Sequence, residues 1–437
     1  MRLGFKCSSN QTTEQQGIIV TVKRWLGQAA STFDLWTINL SGTVTSQNFS
    51  LTINGKSLVY ASSGGDTVAT VLAALVALWN RSTPANPPEF QELTAAPVPA
   101  TGSAMSMTII QDTAGIPSTI TVSTGGAATF SITNTTAATG PNFFDNSQNW
   151  SGGVAPANGD TLVFDNGSVD CCYGLSTSLT TITLNAQGGY SGNIGLPLIN
   201  AVGQSIYSEY RTTYLTLAGG TAVINCAMRR CNLAFGANLT TVRVLTTGQR
   251  IDPYTPVVLI AGGNGSSELD VSKGDVGIAF YQGTTANFPT IKTSYLANTL
   301  SDVSLICGSG ATLGTIIKTG GSMTVSANAT TITQDVGGGT MTVTDSVTVT
   351  TLNVYDGTVN LNSIGAIATI NLYGAATLSA DGDPRAKTIT NPIEVFSESV
   401  SVIDTQHSIN SGVLSLATNG CESVKVRHGG NTSIVYT

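Results

Sequence analysis

From Leu35 the chain alternates apolar and polar positions with a period of two, first as LWTINLSGTVT and then as NFSLTINGKSLVY, with Asn54-Gly55 in the middle of the second run. That period lays one face of a strand on a core, and Asn-Gly favours a two-residue hairpin turn, so antiparallel strands are predicted here. The stretch TVATVLAALVALWN then carries neither Gly nor Pro, and Asp66 stands where a helix cap belongs. One buried amphipathic helix is predicted, ending near Asn80 and ahead of Pro84. The runs MSMTIIQDT, PSTITVST and ATFSITNTT return to the strand pattern. They complete a small α+β module over residues 31–139, with the helix on one face of an antiparallel sheet. Residues 1–30 read as an N-terminal arm: a polar lead, SSNQTTEQQ, a short apolar run over 18–22, then Lys23, Arg24 and Trp25. Such a segment suits a strand that orders on docking as well as a loosely held terminus.

The texture changes at Gly140-Pro141, where NWSGGVAPANGDTLVF reads as the opening of a solenoid spanning 140–437. Three segments of 18 residues stack without gaps: SMTVSANATTITQDVGGG from Ser322, TMTVTDSVTVTTLNVYDG from Thr340, and TVNLNSIGAIATINLYGA from Thr358. Each holds two short strands, a polar turn and a Gly-rich corner. The segment from Val303 fits with one extra residue, and ATLSADGDPRAKTITNPI from Ala376 continues with a looser turn, so regular coils are clearest over 303–393. A period near 18 suits one coil of a parallel β-helix, in which each coil buries its inward Val, Ile and Leu against neighbours about 4.8 Å away. The fold class expected is mainly β, a small α+β module followed by a parallel β-helix with coils of about 18 residues. Over 141–300 strand-like runs recur among irregular insertions, and a separate β-sandwich stays open as the alternative there.

Composition narrows the function. Among 437 residues only 10% are charged, against roughly 25% in an ordinary globular protein, while Gly numbers 48 and Thr, Ser and Asn abound. Small uncharged polar residues suit pleated backbone and tight turns. A net charge of −7 offers no basic field for phosphate backbones, so nucleic acid is set aside as a partner. The opening MRLGFKCSSNQTTEQQ lacks the apolar core of an export signal, and the longest apolar run, 68–79, is too short for a bilayer, so no membrane partner is expected. The odd count of 7 Cys, without a CxxC pair, points to reduced, buried thiols from a reducing cytosol; a Cys226–Cys231 bridge is the alternative.

Candidate chemistry is sparse, and no catalytic or cofactor-binding residue is assigned. Asp381, Asp383 and Arg385 in ADGDPRAK, with Asp356 one coil earlier, are the nearest approach to the carboxylate pair of a glycan-cleaving β-helix. Calcium at Asp381 and Asp383 suits them better than catalysis, and solvated carboxylates of a turn suit them best. His407 and His428 lie far apart in sequence, and the glycines near 262 and 336 read as corners. Trp25, Trp36, Trp79 and Trp150 all fall in the first 150 residues, so no aromatic platform is expected along the solenoid; Tyr207, Tyr210 and Tyr214 are the one cluster suited to a sugar or a subunit contact. Asn149-Trp150-Ser151 is an acceptor pattern that so Thr-rich a chain produces by chance.

The segment from Leu35 to Asn80, together with NWSGGVAPANGDTLVF and the Thr/Gly-rich coils behind it, resembles virion structural proteins of tailed bacteriophages. The resemblance implies a non-enzymatic β-helix of the decoration or fibre type, made in the host cytoplasm and displayed on the particle. It implies contacts with other virion proteins such as capsid or tail, with a host surface glycan as a further partner. Coil ends need caps or partners, so a homo-oligomer such as a trimer is expected. A bacterial surface adhesin and a polysaccharide-depolymerising tailspike remain the competing readings.

Overall fold

The computed structural model describes residues 21–437 apart from 54, 82–85, 99–104, 181, 197–213, 252 and 294–302. The polar lead, Cys7, Asn54, Pro84, Tyr207 and Tyr210 therefore lie outside the described residues.

A parallel β-solenoid fills residues 161–436, built from two long sheets that face one another. Each coil contributes one strand to each sheet, and eleven strands follow in order along the second, from Leu215–Leu217 to Lys425–His428. The irregular stretch before 300 shares this stacking: Thr221 pairs with Thr241, Thr241 with Glu268, Glu268 with Thr290, and Thr290 with Thr315. That continuity excludes a separate sandwich. The insertions are loops thrown out between strands of one solenoid.

Alternation decides what each coil buries. Ile291, Ile316, Ile332, Leu352 and Ile370 lie in register on one sheet and are all fully buried. Opposite them run Met323, Met341, Val359 and Leu378. Each such side chain contributes about 1.5–3 kcal/mol by leaving water, but only with a coil on both sides to cover it. At the corners Gly339 and Gly357 adopt φ of +81° and +76°, and a Cβ on either would sit 2.1 or 2.5 Å from a carbonyl oxygen of the coil beneath. Only glycine lets the corners stack that closely.

The register differs from the gapless 18-residue repeat. Ser322 pairs with Thr340 at a spacing of 18, yet Thr331 pairs with Thr351 at a spacing of 20. The second coil therefore holds two more residues in its turn and two fewer in its corner. Backbone pairing tolerates this because every rung offers the same N–H and C=O groups, and the burial of Leu352 over Ile332 selects the shift. Both sheets return to a spacing of 18 at the next step.

The N-terminal end is sealed from within the chain. Val22–Arg24, part of the stretch expected as an arm, pairs in parallel with Thr161–Gly167 and forms the first rung of the first sheet. Behind it Trp25, Phe144, Trp150, Phe164 and Tyr190 close the end of the core, with ring centroids 5.1–5.7 Å apart. The Trp25 and Trp150 indoles donate to the carbonyls of Val169 and Phe144, so these large rings are buried without an orphaned N–H.

The α+β module is thus an insertion between two neighbouring rungs. Its entry and exit are tied where Thr32 N–H donates to Thr139 O and Thr139 N–H donates to Thr32 Oγ1. The helix Val68–Trp79 buries Val71, Leu72, Leu75 and Trp79, but its cap is Thr67 and not Asp66. Thr67 and Thr70 form a reciprocal capping box, while Asp66 accepts from Ser63 N–H and the Tyr60 hydroxyl and so ties the preceding turn. In place of one sheet, two antiparallel sheets of four and three strands enclose the helix. Ile53 pairs with Lys56 across the expected hairpin, where Gly55 has φ of +77°.

Candidate functional site

The carboxylates singled out in the sequence lie in one turn but do not converge. Asp381 accepts from Thr405 N–H at 2.7 Å and from the Thr405 hydroxyl at 2.8 Å, which ties its coil to the next. Asp383 accepts from the Arg385 guanidinium and backbone N–H, and these bonds hold its carboxyl down at about 2. Beneath them Lys387 is buried with its ammonium on the carbonyls of Asp383 and Arg385. The turn is a brace in which protein donors already occupy both carboxylates. Among the described residues no group of three or more His, Cys, Asp or Glu is arranged to hold a metal ion.

The remaining candidates are structural. Cys226 and Cys231 are both buried free thiols, not a bridge, and burial pushes both upward. His407 contacts the Thr432 hydroxyl at 2.6 Å, and His428 the carbonyl of Gly429. Asn149 is fully buried: it donates to the carbonyls of Gly140 and Phe143 and accepts from Ala29 N–H, so no enzyme could reach it. Tyr214 is half-buried and pushed up to about 12 by burial.

Two surface features were missed. Tyr355, Tyr373 and Phe396 stack along one corner with centroids 4.4 and 4.7 Å apart and planes within 10°. An aromatic ladder does therefore run along the solenoid, and its signal was the shared repeat position of Tyr355 and Tyr373, 18 residues apart. The middle ring, Tyr373, is covered on both faces, and the stack braces one coil on the next. Along the regular coils the outer faces of both sheets carry ladders of small neutral groups, whereas Arg243, Glu268, Asp270 and Lys292 cluster on the first sheet nearer the sealed end. Thr315, Thr331, Thr351 and Thr369 align on one, and Ser322, Thr340, Thr358 and Thr377 on the other. Asn371 donates to Asn353 at 2.8 Å, and Asn353 to Thr333 at 3.4 Å, so these side chains also bond coil to coil.

A cleft of about 760 Å³ lies where the module meets the first coils. Pro117 and Thr119 of the module form one side, Phe144 and Pro156 sit across it, and the loop from Cys172 to Leu179 forms the rest. Asp145, an exposed carboxylate, is the only charged residue among the described residues that line it. That carboxylate rests on Gly174, which has φ of +64°, where a Cβ would lie 2.1 Å from its Oδ1. Tyr173 is half-buried beside it, its ring 5.0 Å from that of Phe143. Asp34 anchors the module side of the seam. It is buried and accepts from the Trp36 indole, Ser118 N–H and hydroxyl, Asn134 Nδ2 and Ala138 N–H.

No described helix is long and apolar enough to cross a membrane. No protein-family model, no curated protein and no solved structure matches this chain.

Proposed function

We propose that the chain is a non-enzymatic structural protein of a phage particle. It is made in the host cytoplasm and assembles on the virion as a capsid decoration, head fibre or tail component, in contact with other virion proteins and with copies of itself. The observation that carries this reading is the self-stacked rod: two continuous parallel sheets, sealed at one end by an aromatic plug, with a separate module set into that end. Burial shared between neighbouring coils makes such a rod stiff, and along the regular coils ladders of uncharged hydroxyls and amides face outward. A particle surface needs stiffness and resistance to proteases more than it needs a reactive cleft. The carboxylates on which depolymerisation would depend are already held by Arg385 and Thr405, which favours the structural role.

Immunogold electron microscopy with antibody against the module tests the proposal on purified phage particles and on intact bacteria. Regular labelling of particles is expected and would assign the protein to head or tail. Labelling confined to cell surfaces would replace the virion reading with an adhesin.

A further inference from the structure

We infer that the solenoid edge where the first sheet turns into the second is the surface on which a second copy of this chain packs, antiparallel and about a two-fold axis. The inference deepens the self-association in the reading above and rests on that reading for its setting on a particle.

Parallel stacking sets these corners on one line along the rod. Ten of them run from 227–230 to 418–424, and of their residues only 252 and 294–302 lie outside the described residues. The line changes sign along its length. Its first three corners, 227–230, 247–257 and 272–273, hold Arg229, Arg230, Arg250 and Lys273. Asp170 and Asp275 pair with Arg230 and Arg250, but Arg229 is exposed and donates to the carbonyls of Gln249 and Arg250. The last five corners, from 335–339 onward, hold Asp335, Asp356, Glu398 and Glu422 and no Lys or Arg. Asp335, Asp356 and Glu398 accept from backbone N–H groups, and among the described residues none of the four carboxylates is paired with a cation. Apolar surface follows the same line. Ile251 and Tyr254 are exposed in the basic half, and Val336, Tyr355 and Phe396 in the acidic half.

Antiparallel packing satisfies both gradients at once. Copies laid side by side in parallel would set carboxylate on carboxylate, which costs free energy. A two-fold between 319–321 and 335–339 instead sets the first corner on the last, Arg229 beside Glu422. The same axis sets the second corner on the ninth, Ile251 and Tyr254 beside Phe396 and Glu398. At the axis itself Gly320 and Gly321 meet the corner that holds Val336 and three glycines, so the two backbones can approach closely. Coils about 4.8 Å apart make the line about 43 Å long, and sheets about 10 Å apart with their side chains make it about 15–20 Å wide. The area is roughly 650–850 Å² per partner, near the value of about 800 Å² found in stable interfaces.

The test is sedimentation equilibrium of the full chain in low and high NaCl, about 50 and about 500 mM. A dimer with Kd on the order of 1–10 µM is expected at low salt, weakened about tenfold at high salt. Arg229→Glu and Glu422→Arg should each weaken it about tenfold, and the two together should restore it. Thermal melting equal to the parent's separates loss of the contact from loss of the fold. Should Arg229→Glu melt early, a cysteine pair, Ile251→Cys with Ser397→Cys, reads the same contact. The two sites lie about 34 Å apart along one rod, so oxidation can join them only between copies. A doubly bridged dimer should form, where the parent chain under the same oxidant gives none. A chain that stays monomeric at about 100 µM, far above the expected Kd, overturns the edge as the contact, as does a trimer. A dimer indifferent to both charge reversals, or a cysteine pair that stays unbridged, does so too. Particle labelling with a monomeric chain removes this inference alone, whereas the dimer without particle labelling keeps it and removes the virion reading.

Discussion

The sealed N-terminal end and the regular coils between Ser322 and Ser379 hold the same architecture together by different means. At the sealed end few residues repeat. Stacking rests on large rings wedged against each other and on an ion pair that clamps a loop, Arg230 with Asp170. In the regular coils no inward residue is aromatic, and stability comes from columns of like side chains: inward Ile and Leu, outward Thr and Asn, stacked Tyr355 and Tyr373 at one corner and glycine at others. A terminal coil has a neighbour on one side only, so it needs bulk to close the core. An internal coil is covered twice and needs only side chains that repeat. The difference teaches that irregular sequence in a solenoid marks its ends and insertions and need not mark another fold.

The comparison is broken hardest at the plug. Trp150→Ala should cost about 3–5 kcal/mol, and hydrogen exchange should show the loss concentrated in the first coils. Leu352→Ala should instead open the coils on either side of it.

Next comes a buried charge at the edge of the regular coils. Lys318 is fully buried, its ammonium donates to Gly338 O, and desolvation lowers it to about 8, against a partial opposing pull from Asp356. Between that value and the ordinary 10.5 the unfolded chain binds more protons than the folded one, so stability should rise with pH across the window. The rise is on the order of 3 kcal/mol. Denaturant melts from pH 7 to 10.5 check this, and Lys318→Met should abolish the slope and raise the midpoint at pH 7.

Gly357→Ala should cost about 1–3 kcal/mol, because positive φ is added to a clash with the coil beneath, and chemical denaturation reads it directly. Tyr373→Leu keeps the apolar volume of the corner but removes two ring contacts, for a loss of about 1 kcal/mol in the same assay. The smallest effect belongs to the turn at Asp383. Its carboxyl is held below the ordinary value, so the contribution is complete above about 3.8 and is lost as pH falls through about 2. NMR of the Arg385 side chain should show the pair releasing over that window, and Asp383→Asn should leave the melt at pH 7 nearly unchanged.

The period-two alternation, the hairpin at Gly55, the helix 68–79 and the coils after Val303 could be read from residues, because each depends on contacts between near neighbours or on a short repeat. The helix cap was misplaced by one residue, since Asp66 and Thr67 are equally good capping types and only the loop's own bonds to Tyr60 and Ser63 divide their roles. The candidate site was scarcely legible. Asp145, Gly174 and Pro117 lie in separate stretches of an unremarkable loop pattern, and nothing in their spacing predicts a shared wall.

By itself, the sequence determined the class of each segment: strand where polarity alternates, helix where it does not, corner where glycine recurs, and a chain with too few charges to be held by salt bridges. Tertiary structure alone decided which rung lies on which. It placed Val22–Arg24 beside Thr161–Gly167 across the whole inserted module, shifted Thr331 onto Thr351, and brought two distant loops together as a cleft. The reason is that parallel backbone pairing is the same in every register. The choice among registers is made by side chains that are buried only once the neighbouring coil is already in place.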